Sequence, residues 1–420
     1  MNKSSFWFAL VYTVCLVLSI INIPNQLAGL PVKYYFMVIL LAMCFFYRSH
    51  KFDKFFYAYL VFLFSYLLAG LNAGYVNNSI MKLLGTFLPS LILYKATTIM
   101  ITRFEKLHFI SVILLVVFVV DALVSIGQFY RDPFCMSLPT LLDLQMIDSR
   151  EAVFYESVDM VGVGTVGLVG GVGNGYILSA ATILAWYPFE RKSRLFIKYS
   201  NNNRLLIFNI VLCGLFLLAS FYTQERAGFY LAVLFSLYLI FLTFRTNKGT
   251  GRVLFFVLML IIGIFAGYLY ETASEFGRYS MGMEGKDRLD FIDFGFRFIS
   301  QHPFGSIDLY MLTHPHMPHN LFVNMYVAGG WFGGTVILFI VLYQLYMCAA
   351  FILKTDKKKN WLPMLYVLMY LNITAQSLVH NNSIVYGGTL FLVFWGVASC
   401  YVEKKDFRRI IQYEQKYIKN

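Results

Sequence analysis

Within residues 286–334 Arg288 and four histidines lead into a long apolar run, and that combination sets out what the chain could do chemically. KDRLDFIDFGFRFISQHPFGS carries Arg288 and His302, HPHMPHN adds His314, His316 and His319, and NLFVNMYVAGGWFGGTVILFIVLYQL follows. Ionisable groups at a bilayer boundary lose hydration, so they are retained mostly where they are paired or handle a charged ligand. Arginine presents a planar fork to phosphate and keeps its charge. A histidine placed there tends to be neutral at physiological pH, the form a general base needs. His319-Asn320 opens the apolar run, where free backbone N–H groups and the positive end of the helix dipole also favour an anion.

Each of these residues has a structural reading as well. His319 serves equally as a helix cap, and Arg288 fits a solvated pair with Asp287 or Asp290 as well as a phosphate contact. Arg226 lies in TQERAG between two apolar runs. There it pairs or binds an anion close to hydrocarbon, or with Glu225 it caps helix ends and snorkels to the headgroups. Two arginines facing one cavity would suit a pyrophosphate. His314, His316 and His319 invite a metal hypothesis, but no carboxylate or cysteine stands at ligand spacing and two prolines constrain the loop, so no metal is expected. His302, in a His-Pro turn, is expected to be structural.

Elsewhere, VGVGTVGLVGGVGNGY contains Gly162, Gly164 and Gly167 in dinucleotide-like spacing without a strand before them, so that meaning fails. Dense glycines instead let helices approach or line a groove, and Asn174 among them is a candidate polar contact. Asp121, in the fifth apolar segment, is either paired structurally or part of a proton path. The basic tail EKKDFRRIIQYEQKYIKN suits anionic lipid.

The elements that must position these groups are helices in a membrane. With 59% hydrophobic, 18% aromatic and 13% charged residues and a mean hydropathy of +0.65, the chain of 420 residues has too little polar surface for a soluble globule. Spans need about 20 mostly apolar residues. Twelve candidates lie near residues 5–23, 34–47, 55–73, 83–101, 108–130, 161–188, 205–222, 227–244, 253–270, 319–346, 361–379 and 384–402. Lys3 precedes the first, and no small-residue cleavage site follows, so it is expected to stay as an anchor. The fold expected is all-α and polytopic, one domain over 1–420, with larger outer loops at 131–160 and 271–318. In the second loop Leu289, Ile292, Phe296 and Ile299 give 287–300 the period of a surface helix with one greasy face.

The net charge of +12 is not a nucleic-acid signal, because 24 of the 34 basic residues fall on one set of alternate loops and the two termini. The positive-inside rule puts both termini in the cytoplasm and the Arg226–Arg288–His319 side outward. Of the six cysteines only Cys135 lies in an outer loop, so no disulfide framework is expected.

The Thr-x-x-Arg turn at Arg226, the block from Arg288 to Gly305 and the Pro-His-Asn before a Gly-rich helix at His319 resemble the O-antigen polymerase and ligase superfamily, polytopic glycosyltransferases of GT-C type. A looser match is 170–175 with its single asparagine. The resemblance covers roughly 160–350 and implies a metal-independent inverting transfer without cofactor, from undecaprenyl pyrophosphate on the periplasmic face of the bacterial inner membrane. It implies His319 as base, Arg226 and Arg288 on the departing pyrophosphate, and Asn320, His316, Asn174 and Glu225 as further substrate contacts. Implied partners are the lipid-linked glycan, membrane lipid and a chain-length regulator protein. The compact Pro-His-Asn and the two outer loops look more like the polymerases. No arginine-rich repeat of the polymerase kind is present, which keeps the ligase open. Rivals of another class are a transporter of an anionic or lipid-linked substrate and a non-catalytic assembly protein.

Overall fold

A computed structural model describes residues 3–21, 26–27, 30–47, 54–141, 165, 167–168, 171–187, 203–223, 225–246, 285–314, 317–318, 320–355, 360–378 and 388–402. In chain order the helices are α1 (Lys3–Ile20), α2 (Val32–Phe46), α3 (Lys54–Asn72), α4 (Val76–Lys82), α5 (Leu88–Thr102), α6 (Leu107–Phe129), α7 (Pro133–Leu141) and α8 (Gly171–Leu184). They continue with α9 (Asn203–Tyr222), α10 (Arg226–Thr246), α11 (Gly285–Gln301), α12 (Ile307–Thr313), α13 (Leu321–Lys354), α14 (Trp361–Ser377) and α15 (Thr389–Val402). Gln26–Leu27 and Leu30–Pro31 form a small antiparallel pair, with Gln26 opposite Pro31. Each apolar segment read from the sequence holds a helix except 253–270, which lies outside the described residues.

This is a helical membrane protein. Among the described residues four helices are long and apolar enough to cross a bilayer: α3, the run Val76–Thr102 formed by α4 and α5, α6 and α13. A π-helical stretch, Leu83–Phe87, joins α4 to α5. The centre of the bundle is aromatic. Trp395 on α15 lies 4.2 Å from Phe55 and 5.3 Å from Tyr370, ring centre to ring centre, and Phe55 lies 4.6 Å from Tyr94. Such rings carry large contact areas. Two other buried rings find partners for their polar atoms: the Tyr366 hydroxyl stands 3.0 Å from Ser111 Oγ, and Trp361 Nε1 donates to the Trp186 carbonyl at 2.9 Å.

Two expectations are corrected. The helix expected over 161–188 begins only at Gly171. Gly167, at φ +57, turns the backbone, and side chains of α6 take up the peptide groups that a helix would have used. The helix expected over 319–346 is broken at Gly330, with φ 63 and ψ −170, a region open essentially to glycine alone. The helix expected over 287–300 is α11, where Ile292 and Ile299 turn inward with Gly295 and Phe298, whereas Leu289 and Phe296 are exposed. Gly295 decides this, because a Cβ there would stand 3.0 Å from Pro318 Cγ and would collide with Val323.

Candidate functional site

The turn that presents Arg226 is fixed by its neighbours. Thr223 Oγ1 accepts the Glu225 N–H at 3.3 Å, and the Glu225 carbonyl accepts from the Phe229 N–H at 3.0 Å, so Arg226 is the first residue of α10. Glu225 is buried against Gly175, where an added Cβ would lie 2.5 Å from the glutamate Cβ. Gly228, on the first turn, brings α10 onto α8 and α14. A Cβ there would stand 2.9 Å from the Gly175 carbonyl oxygen and 3.2 Å from Gln376 Oε1.

The same end of α14 holds the start of α13. Asn320 Nδ2 donates to the Leu378 carbonyl at 3.1 Å, while its Oδ1 accepts from the Phe322 and Val323 N–H groups at 3.0 and 3.2 Å. The cap role open to His319 is therefore filled by Asn320, whose side chain is occupied in doing so. Residues 226 and 320, about a hundred positions apart in sequence, thus begin helices that dock two residues apart on α14.

α11 reaches this assembly from outside. Arg288 stands seven residues before Gly295, on the same helical face and about 10 Å along the axis from the crossing with Pro318 and Val323.

The break in α13 is closed by residues 302–306. The Trp331 N–H donates to the Pro303 carbonyl at 2.9 Å, and the Ser306 N–H donates to the Val327 carbonyl at 2.7 Å. Two backbone groups that a continuous helix would satisfy internally are supplied by another segment, so the break leaves neither of them unpaired. Gly305, at φ +78, lets the strands of chain touch: a Cβ there would lie 2.6 Å from the Gly330 nitrogen. His302 is structural, its N–H bonded to the Phe298 carbonyl at 2.8 Å and its ring 4.6 Å from that of Phe298. Asp308, on α12 just beyond, pairs with Lys82 at 2.8 Å and ties this segment to the end of α4. His314 packs in an aromatic nest 3.8 Å from Phe294, and beside it burial pushes the Tyr310 phenol up to about 12.

Asn174 lies inside the bundle. It is fully buried, with Nδ2 donating to Ser125 Oγ at 2.8 Å and to the Thr165 carbonyl at 3.2 Å. His316 and His319 lie outside the described residues, as do the side chains of Arg226 and Arg288.

Several polar residues escaped the sequence reading. Ser179, Asn372 and Gln376 form a buried chain, with Asn372 Nδ2 donating to Ser179 Oγ at 2.8 Å and Gln376 bonded to Asn372. Their signal was the four-residue spacing of Asn372 and Gln376 within an apolar span. Ser125 and Gln128, four and seven residues after Asp121, gave the same signal on α6. No protein-family model, no curated protein and no solved structure matches the chain.

Proposed function

We propose that the protein is a glycosyltransferase of the bacterial inner membrane that joins undecaprenyl-pyrophosphate-linked oligosaccharide repeats into O-antigen or capsular polysaccharide on the periplasmic face. Twelve spans with both termini in the cytoplasm go with this reading, and the distribution of basic residues supports it. His319 removes the proton from the acceptor sugar hydroxyl as its oxygen attacks the anomeric carbon from the face opposite the leaving group. The bond to pyrophosphate breaks with inversion, and Arg226 and Arg288 stabilise the departing charge, the task a divalent cation performs elsewhere.

The observation that carries this reading is the junction of helix starts. Gly228 and Asn320 dock onto Gln376 and Leu378, so the chain beside two of the proposed groups meets at one end of α14, and α11 crosses at Pro318 about 10 Å along its axis from Arg288. The absence of an arginine-rich repeat favours a second reading, transfer of finished glycan to lipid A core. A transporter is favoured less. Its broken helices are expected near mid-membrane. Here residues 331–354 remain long enough beyond the break to cross hydrocarbon, and the break is filled by the chain itself.

The test is the polymer ladder on a gel. His319→Ala and Arg288→Ala should abolish chain extension with normal membrane levels, and Arg288→Lys should be poorly active because it keeps the charge and loses the fork. Normal ladders from the alanine variants would remove the assignment. In a deletion strain, a core bearing one repeat marks a lost polymerase, and a bare core with polymer stranded on the carrier marks a lost ligase.

A further inference from the structure

Asp121, Ser125 and Gln128 form a polar stripe on one face of α6, and the turn at residues 165–168 lies on it. Asp121 Oδ1 accepts the Leu168 N–H at 2.7 Å, Gln128 Oε1 accepts the Gly167 N–H at 2.8 Å, and Gln128 Nε2 returns a bond to the Gly167 carbonyl at 3.2 Å. Asn174, at the start of α8, closes the other side. Its two side-chain polar atoms lie 2.7 and 2.8 Å from where a Cβ on Gly167 would stand, a point that Asp121 Oδ1 also adjoins.

Within this cluster the bonding is lopsided. Asp121 and Asn174 are both fully buried, yet Asp121 Oδ2 and Asn174 Oδ1 have no partner, and neither does Thr165 Oγ1. Asn174 has spent its donors on Ser125 and Thr165, so its free oxygen stands in the same buried cluster as Asp121 Oδ2 and Thr165 Oγ1. A buried acceptor left open costs about 1–3 kcal/mol, more when it is charged. Around it, α7 offers Asp132 and Cys135 beside Gly127, α9 offers Tyr222, and the turn before α10 offers Glu225, while Arg131, beside Asp132, is exposed. The last turn of α1 brings no titratable group. Among the described residues the atoms of this cluster left without a partner are all oxygens, one of them on a carboxylate, and such a set matches a small hard monocation.

We propose that Asp121, Asn174 and Thr165 form a binding site for one small monovalent cation, Na+ or a proton carried on Asp121 Oδ2. The bound cation locks the 165–168 turn and with it the start of α8, which supports Glu225 through Gly175. The role is independent of the transfer chemistry.

The test uses the full chain in lipid nanodiscs, with thermal unfolding followed by tryptophan fluorescence. NaCl or KCl replaces choline chloride at constant ionic strength, and pH is varied in choline chloride. Asp121→Asn keeps the shape and supplies an amide donor toward Asn174, so it should fold and show no response to either variable. If Na+ is the occupant, the wild type gains a saturable rise on the order of 4 °C at a hundredfold excess over its dissociation constant. Asn174→Asp, with a second negative oxygen, then saturates at lower Na+. If a proton is the occupant, Na+ has no effect and the wild-type midpoint falls as pH rises, because the folded state holds a proton that the unfolded carboxyl releases. Wild type and Asp121→Asn responding alike to both Na+ and pH would overturn the site.

Discussion

The packing around Trp395 and the packing around Gly330 hold the same bundle together by opposite means. Near Trp395, α3, α5, α14 and α15 meet through bulk, with Phe55, Tyr94, Tyr370 and Phe391 filling the space between them. Near Gly330 the chain meets by subtraction, where missing side chains let backbone touch backbone and hydrogen bonds run between peptide groups of distant segments. Bulk tolerates small shifts and sets stability. Backbone contact tolerates almost none, and it sets where α13 starts and therefore where Asn320 and its neighbours stand.

If that division holds, Trp395→Ala should be the most destabilising change, by about 3–5 kcal/mol, while transfer per folded molecule survives. Unfolding in detergent and a ladder normalised to folded protein would separate the two effects. Gly330→Ala should show the reverse. The new Cβ would lie 2.5 Å from the Pro303 and Phe304 carbonyl oxygens in a conformation side chains avoid, so about 1–3 kcal/mol of stability should go with nearly all the activity. An active Gly330→Ala would erase the distinction between the two regions. Asn320→Ala should have the smallest effect, about 1 kcal/mol from the lost cap. Its activity loss should be partial and recovered by Asn320→Asp, which restores the cap but not the Leu378 bond. Protease protection of the α13 start reads this out.

How much of this was legible depended on which physics wrote it. Hydropathy located α3, α5, α6 and α14 because a span must be apolar over its whole length, and the period of Ile292 and Ile299 revealed α11. The break at Gly330 was not legible. AGGWFGG inside an apolar run reads as helix unless the partner loop is known, and the partner, 302–306, lies in what hydropathy calls a polar segment. The start of α8 was misplaced for the same reason: Gly167 turns because Gln128, about forty positions earlier, accepts and returns its hydrogen bonds while Asp121 accepts from the Leu168 N–H. Asn320 was legible as a residue of interest but not as the cap, since adjacent His319 and Asn320 both suit that position and only geometry chooses. The buried chain of Ser179, Asn372 and Gln376 was overlooked because lone amides in spans blend into the apolar average.

The break in α13 bears on how the protein is made. Residues 302–306 leave the ribosome before the helix they complete, so α13 enters the bilayer with the Val327 carbonyl and the Trp331 amide unanswered until that segment folds back onto it. Biogenesis therefore has a docking step in which a preceding segment finishes a helix that follows it in the chain. Isotope exchange at the Trp331 amide would report when that step is done.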